Sequence, residues 1–173
     1  MAIKQHPGLG CIVTCDFDRG FKQPEMVKLR PVVVISPPIS WRPGLCTVVG
    51  LSTTAPEPPR PYHCKLTISP VLPEPWNSEE VWVKGDMIAA VGFHRLDLIR
   101  IGRDDATKAR RYRMNLLSKE QLRMVRACVL HSLGLFQLTK HLLRSTYTPD
   151  SCSLALFRQI STLDLLGGRC AAE

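Results

Sequence analysis

The chain has 173 residues, 45% apolar and 22% charged, proportions that suit one globular domain with a short appendage and exclude a disordered polar segment. Lysine and arginine number 23 against 15 aspartate and glutamate, a formal net charge of +8, which favours a polyanionic partner: nucleic acid, an anionic membrane or an acidic protein segment. No apolar stretch approaches the roughly 20 residues of a spanning helix, and the opening "MAIKQHPGLG" lacks the apolar core of a signal peptide, so a soluble cytoplasmic protein without a membrane partner is expected.

The first ninety-odd residues read as short strands joined by Pro- and Gly-rich connections. "CIVTCDF" (11–17) alternates weakly. Cys11 and Cys15 look like a metal-ligand pair, but four residues along a strand span about 13 Å, too far for one ion. The seven cysteines form no regular framework, which points to reduced thiols; neither a metal site nor a cofactor is expected. "EMVKLRPVVVIS" (25–36) places Lys28 and Arg30 ahead of an aliphatic run that is apolar on both faces, as a central strand would be. "PPISWRPG" (37–44), carrying Trp41, is a turn-rich loop, and "CTVVGLS" (46–52) is a strand in which Gly50 marks a bulge or a close backbone approach. The prolines of "TTAPEPPRP" (53–61) exclude regular structure. "YHCKLTI" (62–68) alternates, with Tyr62, Cys64, Leu66 and Ile68 expected inward and His63, Lys65 and Thr67 outward. After a second Pro-rich loop, "VWVKGDMI" (81–88) is a strand interrupted at Gly85.

Then the period changes. "GRDDATKARRYR" (102–113) is a charged connection or a polar hairpin. Ser118 opens a helix, with Gln121 at capping-box spacing; Leu122, Val125, Val129 and Leu133 form the expected apolar stripe, and Gly134 supplies the stop. A domain over 1–144 is expected, followed by an extension over 145–173 in which "DSCSLALFRQISTLDLL" forms an amphipathic helix or stays loosely ordered.

Many short strands with a helix predict a mainly β fold with α: a small, strongly bent antiparallel barrel whose strand-end loops converge on one rim. Four polar features sit at predicted strand ends: Arg30; Ser52 with Thr53 and Thr54; His63; and the Lys84-Gly85-Asp86 step. Singly they read as a surface cation, turn hydroxyls, a solvated histidine and a turn carboxylate. Together they suit phosphoryl chemistry without a metal. In such RNA cleavage the ribose 2′-hydroxyl is the nucleophile, so the protein must accept its proton, protonate the departing 5′ oxygen and stabilise the phosphate oxygens. Arg30 fits the last task through its planar fork. Asp86 is the natural base, with His63 as the rival base or acid. Lys84 steadies the phosphate or assists the leaving group, and Ser52 and Thr53 hydrogen-bond the phosphate or a flanking nucleotide.

The segments "DFDRG", "PEMVKLRPVVVIS", "CTVVGLSTT" and "VWVKGDMI" resemble the PemK/MazF family of toxin–antitoxin endoribonucleases over about residues 8–135. The resemblance implies a small SH3-like barrel of the CcdB/PemK type with a C-terminal helix, a homodimer, and metal-independent, sequence-selective cleavage of single-stranded RNA such as mRNA. It also implies a cognate antitoxin whose acidic, disordered tail occupies the RNA groove. By position Arg30 matches the family's strand-leading catalytic arginine, and Ser52 its catalytic Thr/Ser, with Thr53 one residue away. Glu25 matches an acidic loop residue, and Asp86 a carboxylate used by some members, where Lys84 replaces arginine. RNA contacts are expected from Glu25, Lys28, Thr53, Thr54, His63 and Trp41. Some members carry a histidine just before the Glu25 position; here Pro24 stands there, so any histidine role falls to His63.

Two other functions fit the same chain. A CcdB-like poison of DNA gyrase shares the barrel but uses a C-terminal aromatic region, and no Trp follows Trp82. A non-catalytic RNA-binding module fits the charge, although aromatics are only 6% of residues; Trp41 and Trp76, both in Pro-rich loops, are its candidate stacking platforms.

Overall fold

The computed structural model describes residues 3–18 and 20–144; the expected extension over 145–173 lies outside the described residues. In chain order the strands are β1 (Ile12–Asp16), β2 (Leu29–Val34), β3 (Leu45–Ser52), β4 (His63–Thr67), β5 (Glu80–Gly92), β6 (Leu96–Leu98), β7 (Arg100–Arg103) and β8 (Arg110–Tyr112). Helices α1 (Lys119–Ser132) and α2 (Thr139–Arg144) follow. The sheet runs β4-β5-β3-β2-β1-β6, every neighbouring pair antiparallel, and β7 with β8 forms a separate hairpin. The expected mainly antiparallel architecture with a C-terminal helix is therefore present. Among the described residues no ladder joins the edge strands β4 and β6, and no helix is long and apolar enough to cross a membrane.

The aliphatic run at 32–34 sorts itself by the two-residue period of a strand. Val33 joins Ile12, Val49, Leu51, Leu66 and Val83 in the cluster that also holds Val125 and Cys128 of α1. Val32 and Val34 point the other way, into a cluster with Val13, Cys15, Cys46 and Val48. All three valines are fully buried, each worth roughly 1.5–3 kcal/mol. Burial on both faces is what a central strand requires, and β2 lies between β3 and β1.

Helix α1 is tied across the β4–β5 edge at both ends. At its start the Ser118 hydroxyl accepts from the Gln121 N–H at 3.1 Å and Gln121 accepts from the Ser118 N–H at 3.0 Å, the expected capping box. The Gln121 amide also donates to the Thr67 carbonyl at the end of β4, 2.7 Å away. At the far end Ser132 Oγ donates to the Gly85 carbonyl at 2.8 Å. Gly134, with φ +74°, terminates the helix.

Two sequence expectations are corrected here and one open alternative is resolved. Leu133 does not complete the apolar stripe: it is 59% exposed, and the buried face runs through Val125 and Cys128. At 100° per residue, position 132 returns to the face of 125 while 133 overshoots it, so Ser132 takes the inward place. The stretch 102–113 is the hairpin of the two alternatives, yet Arg113 at its end is only 3% exposed. Its guanidinium donates to the carbonyls of Pro70 (2.6 Å) and Ser69 (3.3 Å), pinning the second Pro-rich loop. Finally, His63 does not face solvent; its side chain is 8% exposed, because it is folded under the loop that precedes β4.

Candidate active site

The site grows from an irregularity in β5. The ladder with β3 pairs Val49 with Ile88, then jumps to Gly50 with Lys84, so residues 85–87 have no partner on β3. The bulge is locked from two sides. The Gly85 N–H donates to the Tyr62 carbonyl at 2.9 Å, and its carbonyl accepts from Ser132. A Cβ on Gly85 would lie 2.6 Å from the Tyr62 oxygen and 2.8 Å from Cys128 Cβ, so only glycine fits. Asp86, on the next residue, is consequently held out of the sheet, 38% exposed at its side chain. On β3 the register shift falls between Val49 and Gly50, and what lies directly over Gly50 is the Met26 side chain rather than another stretch of backbone.

Beside this bulge opens a cleft of about 970 Å³, near the upper end of ligand-pocket sizes. Arg30 and Glu25 reach it from β2 and the loop before it, and Ser52 and Thr54 from the end of β3. His63 lines it at the start of β4, and Lys84 and Asp86 at the β5 bulge. Three sequence candidates are not brought into the lining: Lys28, Thr53 and Trp41. Trp41 is 77% exposed on its loop. Trp76 packs against the core, which leaves it unsuited to the stacking role. Arg60, Tyr62 and Met26 also line the cleft. Arg60 escaped the sequence reading because "PPRPYH" carries no periodic signal; its adjacency to His63 was the one available clue.

Local contacts prepare each group. Arg30 donates from Nε to the Val27 carbonyl at 3.4 Å, and among the described residues no carboxylate pairs with it. Its terminal fork is thus left for an anion. Lys28, two residues earlier, turns the chain with a left-handed φ of 71°, a conformation that costs a side-chain-bearing residue about 1–2 kcal/mol. Ser52 Oγ accepts from the Thr54 N–H at 3.1 Å, which orients the hydroxyl and keeps its proton available for donation. Glu25 accepts from the Lys22 N–H at 2.8 Å, closing the turn that carries the loop.

Lys84 is the cation whose chemistry the fold alters: burial lowers its pKa, and the nearby Asp86 carboxylate partly opposes that shift. Arg30, Arg60 and Lys84 line the cleft together with Glu25, Glu57 and Asp86. Positive charge able to hold a phosphate therefore sits beside carboxylates able to take a proton. Among the described residues no group of three His, Cys, Asp or Glu side chains is placed to hold a metal.

An antiparallel sheet carrying a cleft with convergent cationic, hydroxyl and carboxylate groups defines a candidate phosphodiester-binding protein. Residues 9–133 match the family model for the PemK-like, MazF-like toxin of type II toxin–antitoxin systems. The match covers most of the chain, which belongs to this family.

Similar solved structures include an endoribonuclease in complex with its cognate antitoxin from a Mycobacterial species, at 18% identity and TM-score 0.49, covering 75% of this chain and 97% of that one. Another Mycobacterial endoribonuclease aligns at 17% identity and TM-score 0.45, covering 76% and 95%. MazF from Deinococcus radiodurans aligns at 19% identity and TM-score 0.48, covering 74% and 96%. No curated protein sequence matches the chain.

Proposed function

We propose that this toxin is an endoribonuclease that cleaves single-stranded RNA in the cleft beside the β5 bulge. The observation that carries the reading is the convergence of Arg30, Ser52, Lys84 and Asp86 on one cavity in a chain of a toxin family. The 2′-hydroxyl of the bound ribose attacks the adjacent phosphorus while Asp86 takes its proton. The Arg30 fork and the Ser52 hydroxyl hold the non-bridging oxygens as negative charge accumulates there. Lys84 protonates the departing 5′ oxygen; burial favours its neutral form, which makes the ammonium a readier acid than a solvated lysine. The products are a 2′,3′-cyclic phosphate and a 5′-hydroxyl. Glu25 and Thr54 at the margins of the cavity contact flanking nucleotides. Lys28, Thr53 and Trp41, outside its lining, contribute at most to the approach of a longer strand.

The test is incubation of purified protein with end-labelled single-stranded RNA in EDTA. Fragments ending in 2′,3′-cyclic phosphate support the reading. Inhibition of gyrase supercoiling with intact RNA would assign the chain to the gyrase poisons instead, and binding without cleavage would leave an RNA-binding module. The proposed assembly is a homodimer, of twice the 19.4 kDa chain mass by sedimentation, neutralised by a cognate antitoxin whose acidic segment competes with RNA for the cleft.

A further inference from the structure

His63 is nearly buried, within the cleft, and both of its ring nitrogens have assigned neighbours. Nδ1 accepts from the Arg60 backbone N–H at 3.2 Å. A nitrogen that accepts carries no proton, so in the neutral ring the proton sits on Nε2. That atom faces Asp86 Oδ1 at 3.5 Å, long for a hydrogen bond but in the range that closes when substrate binds. The ladder pairing with Lys84 sets the backbone of His63 beside the bulge, and the Tyr62 ring packs edge-on against the imidazole, with centroids 4.6 Å apart.

We infer that His63 is a positioning residue for Asp86: its Nε2–H steers Oδ1 and turns Oδ2 toward the ribose 2′-hydroxyl. The inference rests on Asp86 being the proton acceptor. The hydrogen bond to Nδ1 also argues against His63, the rival base that the sequence left open. The only lone pair of the neutral ring is engaged by Arg60, so His63 has none to offer the 2′-hydroxyl. The proton moves from the 2′ oxygen to Asp86 Oδ2 and is released to water after the cyclic product departs; His63 neither gains nor loses one.

The two ring nitrogens make the test specific. A glutamine amide nitrogen falls near the position of Nε2, whereas leucine fills the space without a donor. His63→Gln should keep kcat within about threefold of wild type, and His63→Leu should lose tenfold or more, with RNA affinity unchanged within about threefold in both. In an Asp86→Asn background, already slow, adding His63→Leu should cost less than twofold, since the group being steered no longer accepts a proton.

Equal losses in the Gln and Leu variants would overturn the proposal, because they would mean the ring only fills space. A full multiplicative loss in the Asp86→Asn background would overturn it too, because His63 would then act on the substrate itself. If Asp86→Asn alone turns over like wild type, the proton-acceptor assignment falls, and that result is separate from either His63 outcome.

Discussion

Replacing Gly85 by alanine tests whether the bulge is built to aim Asp86. The added Cβ would meet the Tyr62 carbonyl at 2.6 Å and the carbonyl carbon and Cβ of Cys128 at 2.8 Å, against an ordinary contact beginning near 3.4 Å. None of these atoms can swing aside by changing a side-chain rotamer, so β4, the bulge or α1 must move by several tenths of an ångström. Overpacking of this kind costs about 1–3 kcal/mol, which corresponds to a melting decrease of roughly 2–12 °C for a domain of this size. The functional effect should be larger than the stability loss suggests. The same movement strains the Gly85 contacts to Tyr62 and Ser132 and displaces Asp86 and Lys84 together, and misplacement by ~1 Å can cost about 10²-fold. Calorimetry and single-turnover cleavage of labelled RNA, both below the variant's melting range, measure the two effects. A variant that melts within about 1 °C of wild type and turns over within twofold would show that the bulge relaxes freely and does not aim the carboxylate.

Other outcomes follow from the same contacts. Arg30→Ala should leave the fold intact by circular dichroism and reduce kcat by about 10²–10³, the usual cost of losing a transition-state donor; retention of more than a tenth of turnover would remove Arg30 from the reacting phosphate. Ser118→Ala breaks the reciprocal cap of α1 and should cost about 1 kcal/mol of stability by urea titration while leaving kcat unchanged; an equal fall in kcat would mean the start of α1 sets the cleft. Burial raises the Cys15 thiol from 9.0 to about 12 and the Cys46 thiol to about 11. Between those limits the unfolded chain releases protons that the folded chain keeps, so this contribution to stability is complete below pH 9 and falls as pH rises toward 11–12. The Cys15→Ala, Cys46→Ala double variant should show a flatter alkaline decline in urea midpoints, and an unchanged slope would place its origin elsewhere. RNA affinity should decrease linearly on a log–log plot against salt, and a flat line would argue against phosphate contacts.

Much of the fold was legible because it depends on short-range rules. The Val32–Val34 run announced a strand buried on two faces, Ser118 and Gln121 announced a helix start, and Gly85 marked an irregularity that is a bulge within the continuous β5 rather than an interruption of it. The candidate site was legible in part. Arg30 and Ser52 lie at the ends of β2 and β3 as expected, whereas Lys84 and Asp86 lie within β5, at its bulge, rather than at a strand end. Neither strand position nor the segment resemblance distinguished Ser52 from Thr53, which depends on the direction the chain takes as it leaves β3: Ser52 lines the cleft and Thr53 does not.

The sequence alone therefore determined the local elements, since periodicity, capping and proline placement act within a few residues of the chain. Tertiary structure decided what those elements enclose. His63 is buried because the loop ahead of β4 returns over it, and Arg113 is buried because two carbonyls 43 and 44 residues away receive its guanidinium. Arg60 enters the cleft through a proline-rich path that has no period to read. Ser132, which helical periodicity turns inward in place of Leu133, finds there the carbonyl of a glycine 47 residues earlier. Most buried polar groups find a partner wherever the fold brings one, and that pairing is written in space rather than along the chain.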